Sequence, residues 1–403
     1  MTTQFPPTRA AGLERLSAFL PRAGRAYAAE RNFDRPGHRA VSGLSPYLRH
    51  RLLTETEVIR AVLGRHSLQA AEKFVQEVFW RTYWKGWLER RPGVWGAYRA
   101  GLDRALSEMD GGLASRVAEA EAGRTGIACF DAWARELAET GYLHNHARMW
   151  TASIWIFTLR LPWEIGADWF LRHLLDGDPA SNTLGWRWVA GMQTPGKHYV
   201  ARASNIARYT EGRFDPRGEL DEAPEPLTGP PAPPPDPVPV GDAPDPGLRT
   251  GLLLTEEDLS PGAIFEAGAS EIAAHATLIS ARDRSPRPVA DRVTAFTAAA
   301  IEDSRGRWAG RLGVRGPSAG SVEEVVDWAV SERLDQVVAG HAPVGPAAMA
   351  MAELKRHMKL RDIRFAQVVH RADKAAWTHA THGFFRFKEH IPDLVEQMTG
   401  IRG

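Results

Sequence analysis

The chain has 403 residues, of which 43% are hydrophobic and 25% are charged, and its formal net charge is +1. The composition is that of an ordinary soluble protein, and the length exceeds what one hydrophobic core usually organises, so we expect two domains. The single cysteine, Cys129, excludes a disulfide framework and a four-cysteine iron–sulfur cluster, and we expect it to be a small core residue.

No segment has the character of a membrane anchor or a secretory leader. The most apolar run, 150–163, is interrupted by Arg160 and Pro162 and is too short to span a bilayer. The N-terminus lacks the apolar stretch of a signal peptide. These features predict a cytoplasmic protein that does not associate with membranes.

Charge and periodicity set the first part of the chain apart. Residues 1–220 contain 30 basic and 23 acidic side chains, so the remainder is acidic. A basic excess suits contact with phosphates, although a solvated basic surface explains it almost as well. Apolar and aromatic residues recur at helical spacing over 70–89, and the turn residues of 174–188 indicate a loop leading into a helix. We expect residues 1–221 to form an all-helical domain.

A proline-rich stretch interrupts this pattern at 222–246. Such a stretch is extended and cannot form a core, so we assign 222–247 as a semi-rigid linker. Residues 248–403 then alternate short apolar runs with helical segments, which predicts a smaller, Rossmann-like parallel α/β domain. No Gly-rich dinucleotide fingerprint follows the first run. The expected strands are 251–255, 276–280, 335–339 and 364–369, and the expected helices are 288–303 and 346–358.

Three polar residues, Asp176, Asp178 and Asn182, lie close together near the end of the helical half. Their short side chains can hydrogen-bond the edge of a heterocycle or a row of hydroxyl groups. The two aspartates can equally well cap the helix that follows. A metal site is not expected, because no histidine or cysteine cluster accompanies the carboxylates at ligand spacing.

Arg148 lies in an apolar helical context, between Asn145 and Trp150. A guanidinium group in such a setting needs an anionic or electron-rich partner. A structural pair with an aspartate and a contact with a bound anionic cofactor both meet that need.

Two dense blocks carry a family resemblance. GYLHNHARMW (141–150) and LLDGDPASNTLGWRW (174–188) together resemble the flavin-clasping core of the photolyase/cryptochrome family, which uses FAD and blue light to split pyrimidine dimers in DNA. The resemblance implies that residues 1–221 are the helical FAD-binding domain of that family, in which FAD is bent into a U.

A third segment, 26–48, ends in VSGLSPYL and resembles the family segment that wraps the FAD phosphates. The resemblance implies that Tyr27, Ser42 and Ser45 are phosphate contacts. The family's usual threonine is Val41 here, so one hydroxyl group is missing. Ordinary helix capping is the alternative role of the two serines.

The segment EVFWRTY (77–83) resembles the family motif E-x-x-W-R-E-F. The resemblance implies that Glu77 hydrogen-bonds a thymine edge, that Trp80 stacks on a flipped-out dimer, and that Arg81 contacts the FAD phosphates. Glu77 and Trp80 are spaced i, i+3 and therefore share one helix face. A surface glutamate beside a core tryptophan is the alternative.

On the same basis, the other motif residues line the flavin or the dimer. The resemblance implies that Asn182 lies beside the reactive flavin nitrogen, that Met149 touches the substrate and that Trp188 belongs to the dimer pocket. It also implies that Asn145 stabilises the radical anion together with Glu77. The flavin contacts implied in this part of the chain are Arg148, Asp176, Asp178 and Asn182.

The family also reduces FAD by light through a chain of tryptophans. Trp186 and Trp163 match its first two members, whereas the region near 110–112, where the third is expected, contains no tryptophan. This departure makes photoreduction less secure than FAD binding. The nearby substitutes, between which the sequence does not choose, are Trp150, Trp155 and Trp169.

The order of the two domains is unusual for the family, whose α/β antenna domain normally comes first. GLLLTEEDL (251–259) resembles the first strand of that antenna domain and the residues after it. The resemblance implies that an antenna-like domain follows the FAD domain here, and an unrelated small α/β domain is the alternative. No residue marks a site for a second chromophore, so its presence stays open.

We therefore expect a monomeric, light-dependent DNA-repair flavoprotein resembling deoxyribodipyrimidine photolyases, in which excited reduced FAD donates an electron to a cyclobutane pyrimidine dimer. The expected partner is damaged DNA, either double-stranded or single-stranded. A cryptochrome-like blue-light photoreceptor is the alternative, and a flavin-binding protein without light chemistry is a third option. The residues expected to take part in catalysis are Glu77, Asn145, Trp163, Asn182 and Trp186.

Overall fold

The computed structural model describes residues 4–269 and 271–401. Its first half is helical, as the periodicity predicts. Within the described residues, twelve α-helices precede the proline-rich stretch, and short loops join most of them. In chain order, α1 to α12 are Arg9–Phe19, Arg25–Glu30, Ser45–Arg49, Glu55–Leu63, Leu68–Glu89, Gly93–Ser107, Gly111–Glu121, Ala128–Thr140, Asn145–Ser153, Trp163–His173, Pro179–Ala190 and Ala203–Tyr209.

Side-chain caps explain where two of the motif-bearing helices, α5 and α11, begin. α5 starts after Ser67, whose hydroxyl group accepts a backbone N–H of the first turn. α11 starts at Pro179, after Asp178, whose carboxylate accepts the N–H of Ser181 at 2.9 Å. Such caps satisfy N–H groups that have no partner within the helix. The loop and helix predicted over 174–188 are therefore present.

The proline-rich stretch forms neither helix nor strand and runs past the end of α5. Arg90 Nε donates to the carbonyl of Asp236 at 2.9 Å, and Arg91 Nε donates to that of Pro233 at 3.0 Å. The Arg91 guanidinium also lies 4.4 Å from the ring of Trp87. The stretch is thus held against the helices, and the domain boundaries at 221 and 248 stay a prediction.

The second half is built around a five-stranded parallel sheet in the order β3-β2-β1-β4-β5. β1 lies at the centre and is buried along its whole length, as expected for a sheet covered on both faces. The predicted parallel α/β layer is confirmed. The strands are Thr250–Thr255, Ala274–Leu278, Val314–Ala319, Gln336–Gly340 and Arg364–Val368, and α13 to α19 are Gly262–Glu266, Asp291–Trp308, Val322–Ser331, Pro346–Lys359, Arg371–Trp377, Phe384–Lys388 and Ile391–Thr399.

The edge strand β3 has no counterpart among the predicted strands. Its side chains largely face solvent (Val314 is 58% exposed), so no apolar run announces it. Gly316 and Pro317 weaken its strand pattern further. Gly316 has a packing reason, because a Cβ there would lie 2.5 Å from the indole nitrogen of Trp328. Pairing with β2, rather than its own hydrophobicity, defines this strand.

The largest hydrophobic cluster crosses from the helical region (α1 to α12) into the α/β region (β1 to β5 with α13 to α19). It includes Phe296 of α14, Phe384 of α18 and Leu394 of α19. Gly86 of α5 permits a close approach, because a Cβ there would lie 2.4 Å from the ring of Trp377 in α17. Several helices that follow the linker in sequence therefore pack as part of the helical core.

Cys129 is buried in α8, as predicted, and burial raises the pKa of its thiol to about 12. A thiol with so high a pKa stays protonated and unreactive near neutral pH. Across the described residues, no helix combines the length and apolar character that crossing a membrane requires.

Candidate functional site

The predicted phosphate contacts include two residues with unsatisfied polar atoms. Ser45 opens α3, and its buried hydroxyl oxygen has no hydrogen-bond partner within the described chain. Arg81 of α5 donates one N–H to the carbonyl of Arg49 at 3.0 Å, while its Nε and Nη1 atoms are buried without such a partner. Because buried polar groups in folded proteins are nearly always hydrogen-bonded, these atoms are available to a ligand or to ordered water.

The charge of Arg81 is also incompletely compensated. Its nearest carboxylate is that of Glu55, whose oxygen lies 3.9 Å from Nε. Burial lowers the pKa of Arg81, although Glu55 and Asp178 act in the opposite direction. A buried cation in this state would be stabilised by an anion placed against its free N–H groups.

The other two predicted phosphate contacts are already engaged. Ser42 Oγ accepts the backbone N–H of Leu44 at 3.3 Å, so it fits the local, structural alternative. Tyr27 is buried edge-on against Phe19 and Phe74, with ring centroids 5.6 and 5.3 Å away. Burial raises the pKa of Tyr27 well above its usual value. The phosphate role of these two residues stays a prediction.

Arg148 and Asp176 form the second part of the site. Arg148 Nη2 lies 2.8 Å from Asp176 Oδ2, and Arg148 Nε donates to the carbonyl of Leu143 at 3.0 Å. The aspartate pair, one of the two partners expected for Arg148, is thus present. The other carboxylate oxygen of Asp176 is buried without a partner in the described chain, so the pair still offers an acceptor to a ligand.

Asp178 is bound by the protein itself. Besides capping α11, its Oδ2 lies 2.8 Å from Lys85 Nζ and 3.9 Å from Arg49 Nε. Although burial favours the neutral acid, Lys85, Arg49 and Arg81 hold the pKa of Asp178 well below its usual range. Glu257 of the α/β region binds the same cations, with hydrogen bonds of 2.6 and 2.8 Å to Arg49 and a 3.4 Å contact to Lys85. We call Arg49, Lys85, Asp178 and Glu257 the interface cluster.

The sequence analysis did not predict a role for three members of the interface cluster. Lys85 lies four residues after Arg81 on α5 and so shares its face, a spacing that could have indicated it. Arg49 directly follows the motif segment 26–48. Glu257 is 208 positions from Arg49, and no local pattern points to that contact.

The two asparagines differ in their surroundings. Asn182 Nδ2 donates to the carbonyl of Ala167 at 2.7 Å, which ties α11 to α10. Asn145 opens α9 and is exposed, and Met149, one turn later, is half-buried. Asn145 and Met149 are therefore accessible to a substrate, and their roles stay predictions.

Glu77 and Trp80 lie on α5, as their spacing suggests, and both have partners. Glu77 Oε1 lies 2.5 Å from Arg31 Nη1. Burial raises the pKa of Glu77, and Arg31 opposes that shift. The ring of Trp80 stacks on Phe384 of α18, with centroids 3.6 Å apart and planes 12° apart. One face of the predicted stacking residue is thus covered by the α/β region.

The two predicted electron-transfer tryptophans have different aromatic neighbours. The ring centroid of Trp163 lies 5.7 Å from that of Tyr98. That of Trp186 lies 6.3 Å from Trp155, which in turn stacks on Trp169 at 5.4 Å. One substitute tryptophan, Trp155, therefore adjoins Trp186, and a second, Trp169, adjoins Trp155.

Trp150 and Trp188 belong to separate stacks. Trp150, the third substitute, stacks on Trp133 with centroids 5.3 Å apart. Trp188, the predicted dimer-pocket residue, stacks on Tyr199 at 5.5 Å and is half-buried. Trp188 therefore keeps some accessible surface for a substrate.

One group of side chains in the described chain could hold a metal ion. Glu323, Glu353 and His357 each place a ligand atom within 4.8 Å of the others. Both glutamates are exposed, and such groups are common on protein surfaces without a metal. The group lies on α15 and α16, outside the predicted site, and we assign it no metal.

Ser45, Arg81 and Asp176 are predicted flavin contacts that keep unsatisfied atoms, and we call them the open cluster. Asp178 Oδ2 also lacks a hydrogen-bond partner, but it lies 2.8 Å from Lys85 Nζ. The members of the open cluster offer a hydroxyl group, two guanidinium N–H directions and a carboxylate oxygen. The pyrophosphate of FAD accepts hydrogen bonds, and its ring and hydroxyl groups donate them. The open cluster therefore fits FAD in the chemistry of its donors and acceptors.

A family model matches part of the helical region, and known proteins match about half of the chain. Residues 74–221 match the family described as the FAD binding domain of DNA photolyase. A deoxyribodipyrimidine photo-lyase of Streptomyces griseus is 36% identical over 183 residues, covering 45% of this chain and 38% of the relative. That of Synechococcus sp. is 33% identical over 196 residues, covering 46% and 40%. The chain thus spans about two fifths of the length of these curated relatives.

A solved structure gives a further, partial match. The crystal structure of a bacterial class III photolyase from Agrobacterium tumefaciens is 28% identical to the chain. The match covers 51% of this chain and 43% of that one, with a TM-score of 0.44.

Proposed function

Because the helical region belongs to the photolyase/cryptochrome family, we propose that the protein binds FAD and uses blue light to split cyclobutane pyrimidine dimers in DNA. The open cluster carries this proposal, since Arg81 and Asp176 lie within the matched segment and keep buried atoms without partners. Bound FAD would supply the light absorption and the electron for the dimer. The protein's residues would then bind and orient the FAD and the dimer and shield them from water.

The open cluster would hold the phosphate end and one polar edge of the cofactor. Arg81 presents two N–H groups from a rigid planar fork, which matches phosphate oxygens. Ser45 would donate its hydroxyl proton to a neighbouring phosphate oxygen. Asp176, fixed by Arg148, would accept a hydrogen bond from an N–H or hydroxyl group.

Glu77 and Trp80 would form the substrate side of the same helix. The raised pKa of Glu77 brings its protonated form, which can donate a hydrogen bond to a base carbonyl, closer to neutral pH. Its bond to Arg31 would have to open or be shared for this contact. Trp80 would stack a base on the face that Phe384 leaves uncovered.

A cryptochrome-like photoreceptor is the second candidate function. The ion pair of Glu77 with Arg31 and the stack of Phe384 on Trp80 favour it, because protein groups already contact two of the four predicted dimer contacts. In that case the protein would bind FAD and respond to light without repairing DNA.

We also propose that the α/β region is an antenna-like domain that follows the FAD domain in the chain. The parallel sheet and the resemblance of 251–259 support this assignment. Glu257, which follows β1, contacts Arg49 and Lys85 of the helical region, so the region after the first strand faces the FAD domain.

The test is repair of a dimer-containing oligonucleotide, duplex or single-stranded, by chemically reduced FAD-loaded protein under blue light, with a dark control. Repair in light alone supports the photolyase proposal. No repair by protein with full FAD occupancy favours the photoreceptor. Glu77→Ala should lower repair by about tenfold, the cost of one charged hydrogen bond, at normal FAD content. Glu108→Ala, which removes an exposed glutamate, is the matched control. Loss of FAD from Glu77→Ala would remove Glu77 from the substrate side.

A further inference from the structure

A pocket of about 610 Å³ lies where the end of α5 meets the proline-rich stretch and the turn that precedes α18. Trp87 and Arg91 line it together with the prolines 233–235 and the turn 381–383. None of its lining residues belongs to the parallel sheet, to the interface cluster or to the open cluster. The pocket is shallow and open to solvent, and it is separate from the candidate flavin site.

Arg91 is a buried cation that forms no ion pair with any described residue. Its Nε and Nη2 atoms donate to the carbonyls of Pro233 and Thr381, at 3.0 and 2.7 Å. Its Nη1 atom is buried and has no hydrogen-bond partner within the described chain. Burial lowers the pKa of Arg91, and the neighbouring Arg90 acts in the same direction. An anion at the free N–H group would compensate this charge.

The charges around the pocket select an anion. Arg91 and His382 line the pocket, and none of the described residues in the lining is acidic. Two acidic residues lie near the lining in sequence, Glu89 and Asp236. Glu89 is paired with His341 at 2.9 Å, and Asp236 is exposed. Neither contributes a side chain to the lining, so the positive charge of Arg91 is not compensated there.

Arg91 lies at the end of a stripe of side chains that begins at the predicted dimer contacts. The members, at alternating spacings of three and four residues, are Glu77, Trp80, Trp84, Trp87 and Arg91. Such spacings place side chains on one face of a helix. Trp80 and Trp84 are half-buried, with ring centroids 5.4 Å apart. At 1.5 Å per residue, Arg91 lies about 16 Å beyond Trp80 along α5.

α18 connects the pocket with Trp80 and exposes an aromatic ring. Its first residue, Phe384, stacks on Trp80, and the turn before it lines the pocket. Tyr83 Oη donates to the carbonyl of His382 at 2.7 Å, which fixes this turn to α5. Phe385, by contrast, is 80% exposed. An exposed aromatic ring on an anchored turn suits stacking by an unpaired base.

We propose that this pocket and Phe385 bind an unpaired DNA strand, which rests on the proposed function because the strand extends from the predicted dimer contacts. Arg91 pairs with a phosphate of the strand through the N–H group that its protein partners leave free. Phe385 stacks on one of the bases. Since stacked nucleotides rise about 3.4 Å each, this phosphate lies about five nucleotides from the dimer.

The test of Arg91 is the affinity of the FAD-loaded, full-length protein for a labelled, undamaged oligothymidine in the dark, measured by fluorescence anisotropy at several salt concentrations. Arg91→Gln should weaken binding about tenfold, the usual cost of one charged hydrogen bond. It should also reduce the slope of log affinity against log salt by about 0.7, the value for one phosphate contact on a single strand. Arg356→Gln, an arginine of α16 outside the pocket, is the matched control and should change neither quantity.

The test of Phe385 uses the same measurement. Phe385→Ala should weaken oligothymidine binding about tenfold, because it removes a stacking surface, and should leave the salt slope unchanged, because it removes no charge. Leu360→Ala is the matched control, since Leu360 is 81% exposed and lies outside the pocket.

Wild-type affinity and salt slope in Arg91→Gln would overturn the proposal, and so would normal binding by Phe385→Ala. If polyglutamate displaces the oligonucleotide as well as unlabelled oligothymidine does, the surface serves acidic proteins instead. A loss of FAD content or of stability towards urea in Arg91→Gln would assign Arg91 to the fold. The measurement needs no light, so strand binding without repair contradicts the proposed function alone. Repair with normal strand binding by both variants contradicts the present proposal alone.

Discussion

The interface cluster and the open cluster are both buried groups of polar side chains, and both include residues of α5. In the interface cluster, each charged group lies within ion-pair distance of an opposite charge. In the open cluster, each residue keeps at least one buried atom without a hydrogen-bond partner in the described chain. An unsatisfied buried polar group costs about 1–3 kcal/mol. The charges of the first cluster are compensated within the protein, although Asp178 Oδ2 also lacks a hydrogen-bond partner, whereas the unsatisfied atoms of the second are open to a ligand.

The two clusters therefore have different tasks, although they adjoin each other. The interface cluster fixes how the α/β region meets the helical region. We propose that the open cluster binds an anionic cofactor. Asp178 connects them, because it lies two residues after Asp176 and acts electrostatically on Arg81. Substitutions in either cluster test this difference.

The largest effect is expected when the interface cluster loses its acidic member from the α/β region. Glu257→Leu leaves Arg49 and Lys85 with one carboxylate between them in a buried setting. Removing one partner of a buried ion pair costs about 3–5 kcal/mol, because the remaining charge stays uncompensated. The measurement is the free energy of unfolding from urea titration.

Glu119→Leu provides the control for that variant. Glu119 pairs with Arg124 on the surface, where solvent screens the interaction. We expect no measurable loss of stability. Equal stability of the Glu257 and Glu119 variants would contradict the role given to the interface cluster.

A smaller effect is expected where the two regions pack without charges. Gly86→Ala places a methyl group 2.4 Å from the ring of Trp377 and 3.0 Å from its backbone. Overpacking of this kind costs about 1–3 kcal/mol in the free energy of unfolding. Gly96→Ala, on a helix face with no atom within 4 Å, should be neutral or stabilising. The interpretation is wrong if the two alanine variants unfold at the same urea concentration.

The smallest effect is expected in the pH dependence of the unfolding free energy, through the ion pair of His370 with Asp258. The pKa of His370 is raised in the folded protein, so this contribution to stability is fully present below its unfolded pKa, about 6.5. It is lost as pH rises through the folded value. The pKa of Asp258 is lowered, so its contribution is lost as pH falls through that lowered value.

The measurement is the difference in unfolding free energy between wild type and His370→Gln across this range. The difference should be larger at pH 6 than above neutral pH. His382→Gln, which removes an exposed histidine that forms no ion pair with a described residue, is the matched control. A constant difference for His370→Gln would contradict the assigned pKa direction.

Local sequence patterns predicted the elements that bury apolar residues. The central strands and α5, α11, α14 and α16 follow from apolar spacing and turn residues, with ends shifted by a few residues. β3 could not be predicted in this way, because an exposed edge strand has no apolar pattern. The packing of α17 to α19 into the helical core depends on contacts across the linker, which no local pattern encodes.

The candidate site shows the same division. Motif resemblance pointed to Arg81, Asp176 and Asp178, which belong to the two clusters, and to Arg148, which pairs with Asp176. It did not indicate that Asp178 forms an ion pair with Lys85, or that Phe384 covers one face of Trp80. Both partners depend on how distant parts of the chain fold together.

The central claim is that the open cluster is a cofactor site, and the dissociation constant of FAD for Arg81→Leu tests it most directly. Arg124→Leu, which removes an exposed arginine, serves as the control. We predict that Arg81→Leu weakens FAD binding by about tenfold or more, while the FAD-free protein stays at least as stable as wild type. An unchanged dissociation constant, with stability lost instead, would show that Arg81 belongs to the fold and not to a cofactor site.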